Sequence, residues 1–193
     1  MEYVENLASQ VMEGKAITRD EALRLYNQPL RELCREADRI RRHFCSNGFD
    51  LCAIVNAKSG RCSENCRFCA QSGANRTGAQ EYPLLDEEEI VRQARRNAEQ
   101  GILRYSMVTS GRRLTDEEVG RMCRETSLSV CVSFGLLDEA QYRRLKAAGV
   151  TRVHNNLETS RRNFPNICTT HTFADKLRAI RAAQSAGLFV CSG

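Results

Sequence analysis

Five short apolar runs alternate with helix-patterned segments along this chain, and no hairpin signal joins any two of them. The runs are "LCAIVNA", "ILRYSMVT", "LSVCVSF", "VTRVHNNLE" and "LFVCSG". Strands that never meet through a hairpin must be linked by crossovers, and these are right-handed in nearly every known case. The alternation therefore predicts an α/β fold with a parallel sheet, either a (β/α) barrel or an open doubly wound sheet. "LCAIVNA" is almost wholly apolar, as expected of a strand covered on both faces. Both architectures put their sites at the carboxyl ends of the strands. Four helices and five strands cannot close an eight-stranded barrel, so the sequence is expected to be a piece cut at its C-terminal side.

The segment ahead of the first strand has a different period. "YVENLASQVMEG" spaces Val4, Leu7, Ala8 and Val11 as one helix face and stops at Gly14. Thr18 and Glu21 form a capping-box pattern, and Pro29 suits the first turn of a further helix. That helix carries an apolar stripe of Leu30, Leu33, Cys34, Ala37, Ile40 and Phe44, which is expected to be buried. Residues 1–49 thus read as a helical cap within a single domain spanning 1–193. Within the alternating region, Asp86 with Glu89 and Thr115 with Glu118 are expected to cap helices. Gly101 and Gly149 close two of the helices.

No apolar run approaches the length of a membrane span, and "MEYVENLASQ" lacks the basic-then-apolar order of a secretion signal. The expected location is the cytoplasm. A net charge of +5, with arginines spread along helices, does not point to a nucleic-acid partner. Ten cysteines in a reducing compartment are expected to be buried or metal-bound rather than paired.

Three of them stand together. "RCSENCRFCAQS" places Cys62, Cys66 and Cys69 at C-x3-C-x2-C spacing, in a polar loop directly after the first strand. A structural zinc takes four ligands and a disulfide two, so three thiols suit neither. Iron–sulfur clusters are held by thiolates. Three cysteines on a four-iron cubane leave one iron open to chelate S-adenosylmethionine. The alternatives are three core cysteines or a zinc site with a distant fourth ligand.

The spacing, with Phe68 ahead of the last cysteine, is the hallmark of the radical S-adenosylmethionine superfamily. "NAKSGRCSENCRFCAQS", "HNNLETS", "NICTTHTF" and the terminal "VCSG" resemble, in that order, the corresponding blocks of the biotin synthase family. The resemblance covers essentially the whole chain. It implies a parallel (β/α) barrel of the radical S-adenosylmethionine type, present here only in part, with about five strands. It further implies a sulfurtransferase that inserts sulfur into dethiobiotin to form biotin. A 5′-deoxyadenosyl radical from S-adenosylmethionine would abstract hydrogen, and an auxiliary cluster would supply the sulfur. The implied cofactors are a 4Fe-4S cluster, an auxiliary cluster (2Fe-2S in the best-known members) and S-adenosylmethionine. The implied partners are dethiobiotin and a flavodoxin- or ferredoxin-type reductant, with a homodimer at full length.

Matched by position, Cys62, Cys66 and Cys69 correspond to ligands of the 4Fe-4S cluster, and Cys131 and Cys191 to auxiliary-cluster ligands. Taken without the resemblance, Cys131 and Cys191 read as core residues. Phe68, Asn156, Glu158 and His171 correspond to S-adenosylmethionine contacts. Glu158 stands where aspartate is usual, and His171 where arginine is expected near the methionyl carboxylate. The family's third auxiliary cysteine is replaced by Ser106, whose neutral hydroxyl is a poor iron ligand. Cys168, in the loop after the fourth strand, is the candidate substitute.

The remaining features read as structural. Cys34 and Cys123 lie on helix stripes and are expected in the core, Cys45 and Cys52 lack partner spacing, and His43 reads as a surface residue. "SGANRTG" lacks the lysine of a phosphate loop. No catalytic acid or base is assigned. The competing readings are a related radical enzyme without sulfur insertion (hydrogenase-cofactor maturase or mutase type), a non-catalytic cluster- or zinc-binding protein, and an inactive fragment.

Overall fold

Sheet order decides between the two architectures that the sequence leaves open. The computed structural model describes residues 2–118 and 129–193. Its strands are β1 (Cys52–Lys58), β2 (Arg104–Thr109), β3 (Ser129–Ser133), β4 (Val150–His154) and β5 (Phe189–Cys191). They lie in the order β1-β2-β3-β4-β5, every neighbouring pair parallel. A doubly wound sheet reverses direction at a switch point. This one advances by one neighbour each time, which is the winding of a (β/α) barrel.

The chain divides into two compact units, Met1–Phe49 and Asp50–Gly193. In the second, the helices are α4 (Glu87–Glu99), α5 (Glu139–Ala147), the one-turn α6 (Phe164–Ile167) and α7 (Phe173–Ser185). Ile90, Ala94, Tyr142, Leu145 and Ala183 from these helices form one core with Val55, Tyr105, Met107, Val130, Val132 and Val153 from the strands. Complete burial of a side chain such as Leu145 stabilises the fold by about 1.5–3 kcal/mol.

Because side chains alternate along a strand, the other sheet face carries the intervening residues. Ile54, Ser106, Cys131, Arg152 and Phe189 form one row across all five strands. Ile54 is 69% exposed and Phe189 73%. The expectation that β1 is covered on both faces is therefore corrected. The helices pack on one face of a singly wound sheet, and the opposite face of β1 stays open.

Helix starts follow the local chemistry. Asp138 with Gln141 and Thr172 with Asp175 make complete capping boxes. Thr115 accepts from the Glu118 amide at 3.2 Å while Glu118 accepts from the Thr115 amide at 2.8 Å. Asp86 takes the N-cap position of α4, but its side chain makes no capping hydrogen bond. Cys123 lies outside the described residues.

The turn after β3 depends on a glycine. Gly135 has φ +78°, and a Cβ there would sit 2.2 Å from the Arg112 carbonyl oxygen. That oxygen already accepts from the Leu136 amide at 2.7 Å. A left-handed non-glycine residue alone costs about 1–3 kcal/mol. Gly135→Ala is therefore expected to lower unfolding stability by more than about 2 kcal/mol in urea titrations. A loss below about 0.5 kcal/mol, the range of an ordinary surface substitution, would show that the close approach is not needed.

The first unit holds α1 (Glu2–Met12), α2 (Arg19–Leu25) and α3 (Leu30–Phe44). The Thr18–Glu21 capping box is present, and Pro29 is the N-cap of α3. Val4, Leu7 and Ala8 of α1 are buried as expected. The α3 stripe is not. Leu30 is 74% and Phe44 59% exposed, Cys34 is exposed, and the buried residue of the helix is Glu36. The face of α3 that meets α1 is polar. Arg39 donates to Ser9 Oγ at 2.6 Å and pairs with Glu36 at 3.0 Å, and Arg35 pairs with Glu36 at 2.9 Å. Cys34 is thus not a core residue.

Candidate metal centre

The loop between β1 and α4 leaves the carboxyl end of its strand and is pinned at its base. Ser59 and Tyr82 exchange backbone hydrogen bonds at 3.1 Å, and the Tyr82 hydroxyl donates to the Asn56 carbonyl at 2.7 Å. Gly60 and Arg61 then turn with φ +75° and +46°. At Gly60 a Cβ would meet Glu81 Cγ at 2.6 Å, so the turn needs glycine there.

Inside the loop, the Cys62 amide donates to the Gln71 carbonyl at 3.1 Å and the Gly73 amide to the Cys62 carbonyl at 2.9 Å. One side chain gathers the rest. Asn75 Nδ2 donates to the carbonyls of Cys66 (3.0 Å), Cys69 (2.8 Å) and Arg67 (3.4 Å). Cys62, Cys66 and Cys69 are each half-buried, and the Gly111 amide donates to Cys62 Sγ at 3.3 Å. Phe68, between them, is 57% exposed.

The loop after β4 closes on this one. Arg67 donates through its amide to the Ile167 carbonyl at 3.0 Å, which ties the cysteine loop to α6. Asn65 Oδ1 accepts from the Thr169 amide (2.9 Å), the Thr170 amide (3.3 Å) and the Cys168 thiol (3.3 Å). Buried Glu64 is 2.5 Å from Nδ1 of buried His171 and accepts from the Thr170 hydroxyl at 2.7 Å. Sequence reasoning missed Glu64, Asn65, Asn75 and Thr170, which read as ordinary polar loop residues until the two loops are seen together.

Electrostatics follow from this packing. Burial pushes the Cys66 thiol up to about 12, with the neighbouring Cys168 adding to the shift. Burial also works against charge on Cys168, but hydrogen bonds from the Thr170 hydroxyl and from the Thr170 and His171 amides outweigh it and bring that thiol below its usual range. For Glu64, burial opposes the charge, yet hydrogen bonds from Thr170 and His171 and the nearby Arg112 guanidinium hold the carboxyl below its ordinary value. A carboxyl depressed in the folded state stabilises it above the unfolded value, near 4.3. That contribution is lost as pH falls through the folded value. Wild type should exceed Glu64→Gln by about 1.5–3 kcal/mol at pH 7. The gap should shrink when urea titrations are repeated at pH 4 and 3. A gap independent of pH would assign the effect to shape rather than charge.

The other predicted residues sit elsewhere. Cys131 is buried beside Ser106 in the ladder, and Arg152 is its partner on β4. Burial pushes its thiol up, against the pull of Ser106 and Arg152. Cys191 is exposed and pairs in register with His154. Cys168 has its described contacts at the cysteine loop and none with Cys131 or Cys191. Asn156 Oδ1 accepts from the Gly193 amide at 2.9 Å, and exposed Glu158 has φ +68°. His43 is on the surface, as are Cys45 and Cys52.

The sequence profile of the radical SAM superfamily matches residues 57–193. The chain belongs to that superfamily. This radical SAM chain is 54% identical, over its whole length, to a protein named biotin synthase from Akkermansia muciniphila, and covers 62% of that relative. It is 50% identical to biotin synthase 2 of Corynebacterium diphtheriae, covering 98% of this chain and 60% of the relative. The chain thus spans about three fifths of the length of the curated relatives it matches. Methylornithine synthase superposes with a TM-score of 0.79 at 22% identity, covering 97% of this chain and 58% of that one. HydG, a maturase of the FeFe-hydrogenase, superposes at 0.77 and 20%, covering 100% of this chain and 46% of that one. These two likenesses show the fold.

Radical SAM membership implies a 4Fe-4S cluster and S-adenosylmethionine. The donor set at the carboxyl end of β1 fits a thiolate-held cluster. Three half-exposed thiols come from one pinned loop, and an amide N–H already points at a cysteine sulfur. Hydrogen bonds to the sulfurs are one of the protein's means of tuning such a cluster. Among the described residues no helix is long and apolar enough to cross a membrane.

Proposed function

We propose that this protein is a biotin synthase, which forms biotin by inserting sulfur into dethiobiotin. What carries the reading is kinship along the whole chain to relatives of that name. In this reading Cys62, Cys66 and Cys69 hold the 4Fe-4S cluster. When bound, that cluster supplies the electron that splits S-adenosylmethionine into methionine and the radical that takes hydrogen from the substrate.

The chain's own residues bind and orient. Glu158 and Asn156 at the end of β4 take the adenosyl part of S-adenosylmethionine as hydrogen-bond partners. Phe68 offers an aromatic face. His171, anchored through Nδ1 by Glu64, stands at the position that corresponds to the methionyl-carboxylate contact. Cys131 and Cys191 hold an auxiliary cluster as sulfur donor, with the Arg152 guanidinium offsetting its negative charge. Ser106 stays a hydrogen-bond partner of Cys131 rather than a ligand. The reductant is of flavodoxin or ferredoxin type, the whole protein is a homodimer, and residues 1–49 cap the domain.

The test supplies the anaerobically reconstituted full-length protein with reductant, S-adenosylmethionine and dethiobiotin. Biotin, methionine and deoxyadenosine are expected together. Deoxyadenosine and methionine without biotin would leave a radical SAM enzyme with a different substrate.

A further inference from the structure

Cys66, Cys168 and His171 each offer one donor atom, and these three atoms lie within 4.8 Å of one another. No other radical-cluster cysteine shares that group. Cys168 and His171 are buried and Cys66 half-buried. Tetrahedral zinc holds sulfur at roughly 2.3 Å and nitrogen at roughly 2.0–2.1 Å, which puts its donors roughly 3.5–3.8 Å apart. Cys168 Sγ lies 3.3 Å from His171 Nδ1, so thiol and ring already touch, and Nε2 is the ring nitrogen left for an ion. Gathering the three donors around one ion thus needs shifts of about an ångström or less.

Two further observations mark the group as more than a chance cluster of core residues. His171 Nε2 is buried without a hydrogen-bond partner, although the ring is fixed on its other side. Glu64, at 2.5 Å from Nδ1, is the carboxylate partner that orients metal-binding imidazoles.

We propose that the cluster-free protein binds one Zn²⁺ through Cys66, Cys168 and His171, with Glu64 beside it, and that this ion excludes the 4Fe-4S cluster. Zinc binding itself stands apart from the proposed function. Only the exclusion rests on it, through Cys66 as a shared ligand. Zinc has no redox chemistry, so the zinc form is a closed state of the cysteine loop, reopened by a chelator.

The cluster-free, full-length protein is titrated anaerobically with Zn²⁺, and with Co²⁺ as a coloured probe, in a thiol-free reductant. One ion per chain is expected. Cys168→Ser and His171→Ala should each weaken binding by about tenfold or more, while Cys62→Ser/Cys69→Ser binds as wild type. X-ray absorption on wild type, which needs no variant to fold, should show two sulfurs and lighter N/O donors. Three or four sulfurs, or binding lost in the Cys62→Ser/Cys69→Ser variant and kept in Cys168→Ser, would overturn the site. Zinc preloading should also suppress cluster assembly in wild type. Normal assembly around a retained zinc would overturn the exclusion and the assignment of Cys66 to the cluster, leaving the zinc site standing.

Discussion

Cys66→Ala protein, reconstituted anaerobically with iron and sulfide, is expected to lack the oxygen-labile cluster of the cysteine loop and to cleave no S-adenosylmethionine. Loss of an outer-shell partner already costs about 10–100-fold in metal affinity or activity, so loss of a ligand should cost more than about 100-fold. The Cys66 carbonyl accepts from Asn75, and Cys168 lies beside its sulfur. Substituting the exposed Cys34 should change neither iron content nor cleavage. Iron and sulfide analysis, electron paramagnetic resonance of the reduced protein and deoxyadenosine assays read the outcome. Full cleavage by Cys66→Ala would remove this loop from the chemistry.

The second large effect concerns sulfur transfer. Cys131→Ser/Cys191→Ser in the full-length protein is expected to keep the radical cluster and to release deoxyadenosine, yet to form no biotin. Iron content should fall by one cluster's worth. The substitutions keep side-chain size, and Cys131 already neighbours one serine, Ser106, in the ladder. What they remove is the thiolate, the form that binds metal and that a hydroxyl cannot match near neutral pH. Ser106→Cys should not be needed for activity. If the double variant made biotin at the wild-type rate, these two thiols would hold no sulfur donor. The radical chemistry would survive that result, and the biotin assignment would not.

The strands themselves and the cysteine loop were legible in the sequence because each rests on a local pattern. An apolar run bounded by polar residues marks a strand, and C-x3-C-x2-C marks a loop of thiolate ligands. The face of β1 was not legible. An unbroken apolar run such as "LCAIVNA" has no alternation to say that Val55 is buried and Ile54 is open. The α3 stripe misled for a related reason. Periodicity says that a helix has an apolar side, but the neighbour chosen here is the polar one around Glu36 and Arg39. One-turn α6 has no period to read, and Pro165 near its start was the single hint. The network of Glu64, Asn65, Cys168 and His171 joins residues 103 to 107 positions apart. Such a contact is set by β1 and β4 opening their loops on the same rim, which no window of sequence displays.

That separation also sets an order of events during synthesis. The three cysteines leave the ribosome early, together with Asn75 and the Ser59–Tyr82 clasp, so the ligand loop has most of its own scaffold at once. Its outer wall does not yet exist. Residues 166 to 171 follow about 100 positions later, roughly 5–20 s at the usual 5–20 residues per second. During that interval the thiols stand on a shaped but uncovered loop, open to iron delivery and to oxidants alike. A nascent chain stalled before residue 166 should therefore expose Cys66 to alkylation far more than the released protein does. The maturation of this centre is a matter of timing along the chain as much as of geometry within it.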